Sequence, residues 1–143
     1  MANKSKFSDI QFTAKLAGEG KWPDTMEELV QAWIAFWADE TTTGAESSWA
    51  SDCVHELVED DGDLGLDFVL TVLATDPHDR VIEVLAAGPL EDALAYHGPL
   101  IIDRVEREAA KSPEFQDLLG GVWQNRTRDD IWQRVLRAAP RRW

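Results

Sequence analysis

Two Gly-Pro pairs ten residues apart, Gly88-Pro89 and Gly98-Pro99, set the tightest limits on how this chain can fold. A glycine can end a helix in the left-handed conformation, and a proline suits the first turn of the next helix. Asp76-Pro77 and Ser112-Pro113 repeat the start signal with side chains that cap helix N-termini. Four X-Pro starts, spaced 12, 10 and 14 residues, predict a region cut into short helices joined by tight corners.

Upstream of these joints, Thr25-Met26-Glu27-Glu28 forms a capping box that opens a helix. Its apolar residues Met26, Leu29, Val30, Trp33, Ile34, Phe36 and Trp37 spread over about 160° of arc at ~100° per residue. That is wider than a surface stripe, so the helix is expected between two neighbours, with its aromatics packed in a core. TTTGAESS reads as a loop, and Trp49 to Glu59 as the next helix, with Trp49, Cys53, Val54, Leu57 and Val58 on its apolar face. Gly62 breaks the chain before an apolar helix from Leu64 to Thr75. Helical spacing then recurs through Val81–Ala86, Leu90–Leu94, Ile101–Ala109 and Phe115–Leu119. Thr127 is placed to cap a last helix whose stripe is Ile131, Trp132, Val135 and Leu136. Residues 7–17 allow two readings. Ile10, Phe12, Ala14 and Leu16 alternate as in a strand, while Ser8, Gln11 and Gly18 supply the start and stop of a helix, the reading favoured here. The expected fold is all-α: a compact bundle of seven or eight short helices, with stacked helix pairs as one arrangement open to it. Residues 1–23 form an N-terminal arm, 24–139 an acidic helical domain and 140–143 a basic tail.

A chain of 143 residues is long enough for one domain with a sizeable core, and a hydrophobic content of 44% excludes a disordered chain. No apolar run approaches the ~18–20 residues of a membrane span, and MANKSKFSDIQF lacks the apolar centre of a signal peptide. A single cysteine, Cys53, excludes an internal disulfide and fits a reducing compartment, so a cytoplasmic location is expected.

Charge is sharply segregated. Residues 1–23 have a net charge of +2, residues 24–119 one of −19 and residues 120–143 one of +4. Between Lys21 and Arg80 lie 15 acids and no lysine or arginine. A one-signed field of this kind argues against nucleic acid as a direct ligand and for a basic protein partner. On the helix from Trp49, Asp52, Glu56, Glu59 and Asp60 recur at i, i+4, i+7 and i+8. Like charges at i, i+4 cost a helix a few tenths of a kcal/mol each (~0.2–0.5), so local stability is not what they serve. A solvated acidic face accounts for them as well as an interaction surface does.

The stretch VLAAGPLEDALAYHGPLIIDRVEREAAKSPEFQDLLGGVWQN resembles a bacterial domain family of unknown function whose members share AAGPLED, HG, IDRVE and GGVW-x-N segments. The resemblance covers roughly residues 26–139. It implies a helical fold and a bacterial or phage origin, and it brings no reaction.

Catalytic and metal signatures are weak. His55-Glu56 opens like a zinc-protease motif, but Glu59 stands where a second histidine belongs. Counting a calcium loop from Asp61, the sixth position is Leu66 and the twelfth Val72, so the turn glycine and the bidentate ligand are missing. Cys53 sits on an apolar face, where a thiol behaves as a small hydrophobe. His97 suits a helix C-terminus. No catalytic residue, metal or cofactor is expected. The tail Arg141-Arg142-Trp143 is expected to fold back and pair with carboxylates.

The function expected is non-enzymatic: an acidic inhibitor that caps a basic surface of another protein. That partner is either a nuclease toxin, with this chain as its immunity protein, or a nucleic-acid-handling defence complex, with this chain as an anti-CRISPR-like nucleic-acid mimic. The expected contact residues are Asp52, Glu56, Glu59, Asp60, Asp61 and Asp63, with Trp49 as an aromatic anchor. The alternative is a structural module that self-associates through the wide apolar face of its first long helix.

Overall fold

The computed structural model describes residues 23, 25–42 and 48–143. The expected N-terminal arm and most of the TTTGAESS loop lie outside the described residues. Among those described, every regular element is helical.

Helix α1, Met26–Ala38, opens as its capping box predicts, with the Thr25 hydroxyl accepting from the Glu28 amide at 3.2 Å. Ser48 caps α2, Trp49–Asp60, in the same way. Asp61 ends α2 and starts α3, Gly62–Ala74; its carboxylate accepts from the Leu64 amide at 2.9 Å. The break at Gly62 is thus a one-residue corner, and α3 begins two residues earlier than its apolar pattern suggests. Helix α3 is apolar nearly all round because it is packed nearly all round, against α1, α2 and later elements. Phe68 meets Trp33 of α1 edge-on, with ring centroids 5.4 Å apart, near the middle of the core.

The Pro-marked joints behave differently from the expectation. Asp76 takes a positive φ of 54° just after α3, so it belongs to the stop of that helix and does not start the next. Helix α4, Asp79–Leu85, is capped instead by His78, whose Nδ1 accepts from the Arg80 amide. Gly88-Pro89 makes no corner. It lies in a π-helical turn, Ala86–Leu90, that leads without interruption into α5, Glu91–Lys111. Gly98-Pro99 makes only a kink in α5, where His97 leaves helical geometry at φ −131°. A proline removes one backbone donor and crowds the preceding turn. Here a widened turn and a single bent residue absorb that cost. Only Ser112-Pro113 works as expected, starting α6, Pro113–Leu119. With the run from Asp79 to Lys111 counted as one, the described residues hold six helical segments, fewer than the seven or eight expected.

The last helix, α7, spans Asp129–Ala138 and packs on α5. Thr127 does not cap it. Gln124 holds both the Thr127 amide and its carbonyl, the cap position passes to Arg128, and the buried Thr127 hydroxyl has no hydrogen-bond partner among the described residues. Among the described residues, no helix is long and apolar enough to cross a membrane.

Close approach explains two glycines and separates them from a third. A Cβ at Gly62 would lie 2.7 Å from His97 Cβ, and one at Gly98 would lie 3.0 Å from Ile131 of α7. A Cβ at Gly88 would meet nothing within 4 Å. Gly62→Ala is therefore expected to destabilise the chain by about 1–3 kcal/mol through overpacking. Gly88→Ala is expected to stabilise it slightly, by about 0.4–1 kcal/mol, through lost freedom of the unfolded chain. Urea midpoints of the two variants check the pair, and equal losses at both positions would refute this account.

Candidate functional site

Helix α2 turns its apolar residues Cys53, Val54, Leu57 and Val58 into the core, which leaves its acids on the outside. Glu59 and Asp60 are exposed, while Asp52 and Glu56 are half-buried. The carboxylates of Asp52, Glu59 and Asp60 make no ion pair or hydrogen bond with the described residues. Three other expected contact residues, Asp61, Asp63 and Trp49, have roles inside the fold. Asp61 caps α3, and Asp63 sits 3.5 Å from Arg104, whose other guanidinium nitrogen is 2.5 Å from Asp67. Trp49 is half-buried and packs on the core.

Several arginines are committed away from α2. Arg134 of α7 reaches Asp103 and Glu106 of α5, each at 2.6 Å. Hydrogen bonds from Arg134 hold the Glu106 carboxyl below its ordinary value. Arg128 pairs with Asp130. Arg80 donates to the carbonyls of Trp37 and Thr42. The tail folds back, but onto carbonyls rather than the expected carboxylates. Arg142 donates to the carbonyls of Leu119, Val122 and Ala139, and Trp143 Nε1 to that of Asp117.

Beside the acids of α2 lies a half-open cavity of about 160 Å³. Trp33 and Trp37 wall it from α1, Val54 and Val58 from α2, and Gly88-Pro89 of the π turn closes it opposite. Its polar groups are Ser51, His55 and Asp92. The Trp37 indole N–H donates to Ser51 Oγ at 3.1 Å, which pins that ring. His55, 58% exposed, stands at the rim with Nδ1 3.7 Å from Asp92 Oδ2, and Arg126 approaches Asp92 Oδ1 at 3.4 Å. Both contacts are long for charge-assisted bonds, which run at about 2.7–2.9 Å. Burial therefore wins and raises the Asp92 pKa above the ordinary aspartate value, with His55 and Arg126 opposing and the charges of Glu91 and Glu59 adding to the rise.

Sequence reasoning missed this cavity because its lining comes from five separate elements, Val84 of α4 and Asp92 of α5 among them. Asp92 lies in the AAGPLED segment, and that membership was the available signal. The neighbouring Glu91 accepts from the Trp123 amide at 3.2 Å and from Asn125 Nδ2 at 2.5 Å, fastening AAGPLED to GGVW-x-N. Asn125, at φ 42°, takes a left-handed turn that asparagine tolerates well. His97 Nε2 lies 2.9 Å from the carbonyls of Val58 and Glu59, so the histidine serves the C-terminus of α2 rather than its own helix. Among the described residues no three potential ligands converge on a metal position.

The family model that matches covers residues 38–143, from the last residue of α1 to the end of the tail. The chain belongs to DUF6869, a family of unknown function. No curated protein and no solved structure matches it. The cavity straddles the matched span, since Trp33 and Trp37 precede it while the other walls lie within it.

Two buried groups give direct tests. Burial, with a smaller effect from Glu56, pushes the Cys53 thiol up to about 12. Alkylation of the native protein at pH 8 is expected to be at least about a hundredfold slower than that of the unfolded chain, since the thiolate is the reactive form; comparable rates would contradict this burial. Asp92 holds its proton to higher pH when folded than when unfolded. Its contribution to stability is full below the unfolded pKa and is lost as pH rises through the folded one. Asp92→Asn is expected to cost no stability at pH 7. The wild type should gain on the variant as pH falls from 7 to 4, as read from urea midpoints at both values.

Proposed function

We propose that this DUF6869 member is a non-enzymatic binding protein that caps a basic surface of another protein. The observation that carries this reading is the set of outward carboxylates on α2, Asp52, Glu59 and Asp60, which the fold leaves without a counter-charge among the described residues while arginines pair with acids of α3, α5 and α7. Folding that neutralises one side and leaves the other charged produces a directed field. Such a field speeds encounter with a basic partner and disfavours acidic ones. Glu56 lies in the same stripe, while Asp61 and Asp63 add charge at its edge as they hold the α2–α3 corner and Arg104.

Two settings suit a small acidic cap. In one it is an immunity protein against a nuclease toxin, whose substrate-binding surface is basic. In the other it imitates nucleic acid against a defence complex. Self-association through the apolar face of α1 is less well supported, because Met26, Leu29, Val30 and Trp33 are buried in the chain's own core.

The immobilised protein, exposed to cytoplasmic lysate at low salt and eluted with a salt gradient, is expected to release one basic nuclease or nucleic-acid-handling complex sharply. With that purified target, Glu59→Lys combined with Asp60→Lys should slow association by about tenfold or more and flatten its salt dependence. Association indifferent to both salt and reversal would sink the reading.

A further inference from the structure

The geometry points to the cavity between α1, α2 and the π turn as a receptor for one arginine side chain presented by the basic partner. The inference rests on the reading of a basic partner and adds where that partner anchors and through which residue.

Size comes first. About 160 Å³ is close to the ~150 Å³ cavity that accepts a benzene ring, and well below the ~300–1,000 Å³ of sites for larger small molecules. The space takes the end of one side chain. Chemistry narrows the choice. The walls contributed by Trp33, Trp37, Val58 and Pro89 favour a flat, weakly hydrated group, while Asp92 supplies the one formal negative charge in the lining. Asp92 is only 22% exposed and has no partner closer than 3.4 Å among the described residues, so within them it has lost water without gaining a short donor. A guanidinium supplies several donors in one plane and tolerates desolvation better than an ammonium. The charges of Glu59 and Glu91 already act on Asp92, which continues the acidic face of α2 to the cavity mouth. A π turn closes the site at Gly88-Pro89, and such turns are frequent at functional positions. Gly88 leaves open the space a side chain would fill.

The test uses the whole chain, labelled so that the Trp33 and Trp37 indole N–H signals are followed by NMR. It is titrated with Nα-acetyl-arginine amide, its uncharged isostere Nα-acetyl-citrulline amide, and Nα-acetyl-lysine amide. Arginine amide is expected to shift both indole signals saturably, with citrulline amide binding at least about tenfold more weakly and lysine amide between them. Gly88→Leu adds bulk at the cavity lining without a steric clash at its Cβ, and Asp92→Asn removes the charge. Each should weaken arginine amide at least about tenfold while thermal unfolding stays cooperative. Equal binding of citrulline amide, a preference for lysine amide, no saturable shift, or an unchanged titration in folded Gly88→Leu would each overturn the assignment. Partner capture that still depends on Glu59 and Asp60 when arginine amide fails would overturn the cavity alone. Arginine amide binding without any salt-dependent partner would instead overturn the reading beneath it.

Discussion

Pro89 and Pro99 lack amide hydrogens, and the way the chain absorbs those two losses shapes nearly everything around them. In a straight α-helix each proline would orphan a carbonyl and clash with the turn before it. The run from Asp79 to Lys111 stays helical by widening once, over Ala86–Leu90, and bending once, at His97. The widening gives the tryptophan-lined cavity its far wall. The bend carries His97 to the last carbonyls of α2, brings its ring against Gly62, and seats Gly98 under Ile131 of α7. Three helices thus depend on how one helix accommodates its prolines.

The second constraint is electrostatic. A net charge of −13 on 143 residues opposes compaction through self-repulsion unless it is locally neutralised. Among the described residues, neutralisation is concentrated on the later helices. Arg104 bridges α5 to α3, and Arg134 bridges α7 to α5. Two other central bases differ in use: Lys111 pairs with Glu108 on its own helix, whereas Arg80 satisfies backbone carbonyls. Helix α2 receives none of these side chains. Its stability comes from the apolar face buried against α1 and α3, which lets its outer acids remain charged at small local cost.

Local signals were legible where one short stretch carried the whole interaction. Thr25 and Ser112 cap their helices because the donor each meets is three residues away. The apolar stripes of α1, α2, α5 and α7 are buried largely as their spacing predicts. Reading failed where a competing contact displaced the expected one. Thr127 yields its cap to Arg128 because Gln124 claims its backbone. Asp76 serves the helix before it instead of Pro77 after it. The expected contact set divides in the same way: Asp52, Glu59 and Asp60 stay outward as helical spacing implies, whereas Asp63 is drawn to an arginine 41 residues away.

What the amino-acid sequence determined by itself is the helical class, the burial pattern of each helix and the acidic stripe of α2, because all three follow from periodicities within a dozen residues. Tertiary structure decided which carboxylates keep a counter-charge, where the tail docks and that Trp33, Trp37, His55 and Asp92 share one cavity. Those outcomes depend on packing between elements far apart in the chain, and no spacing in the sequence encodes the distance between α1 and a π turn fifty residues later.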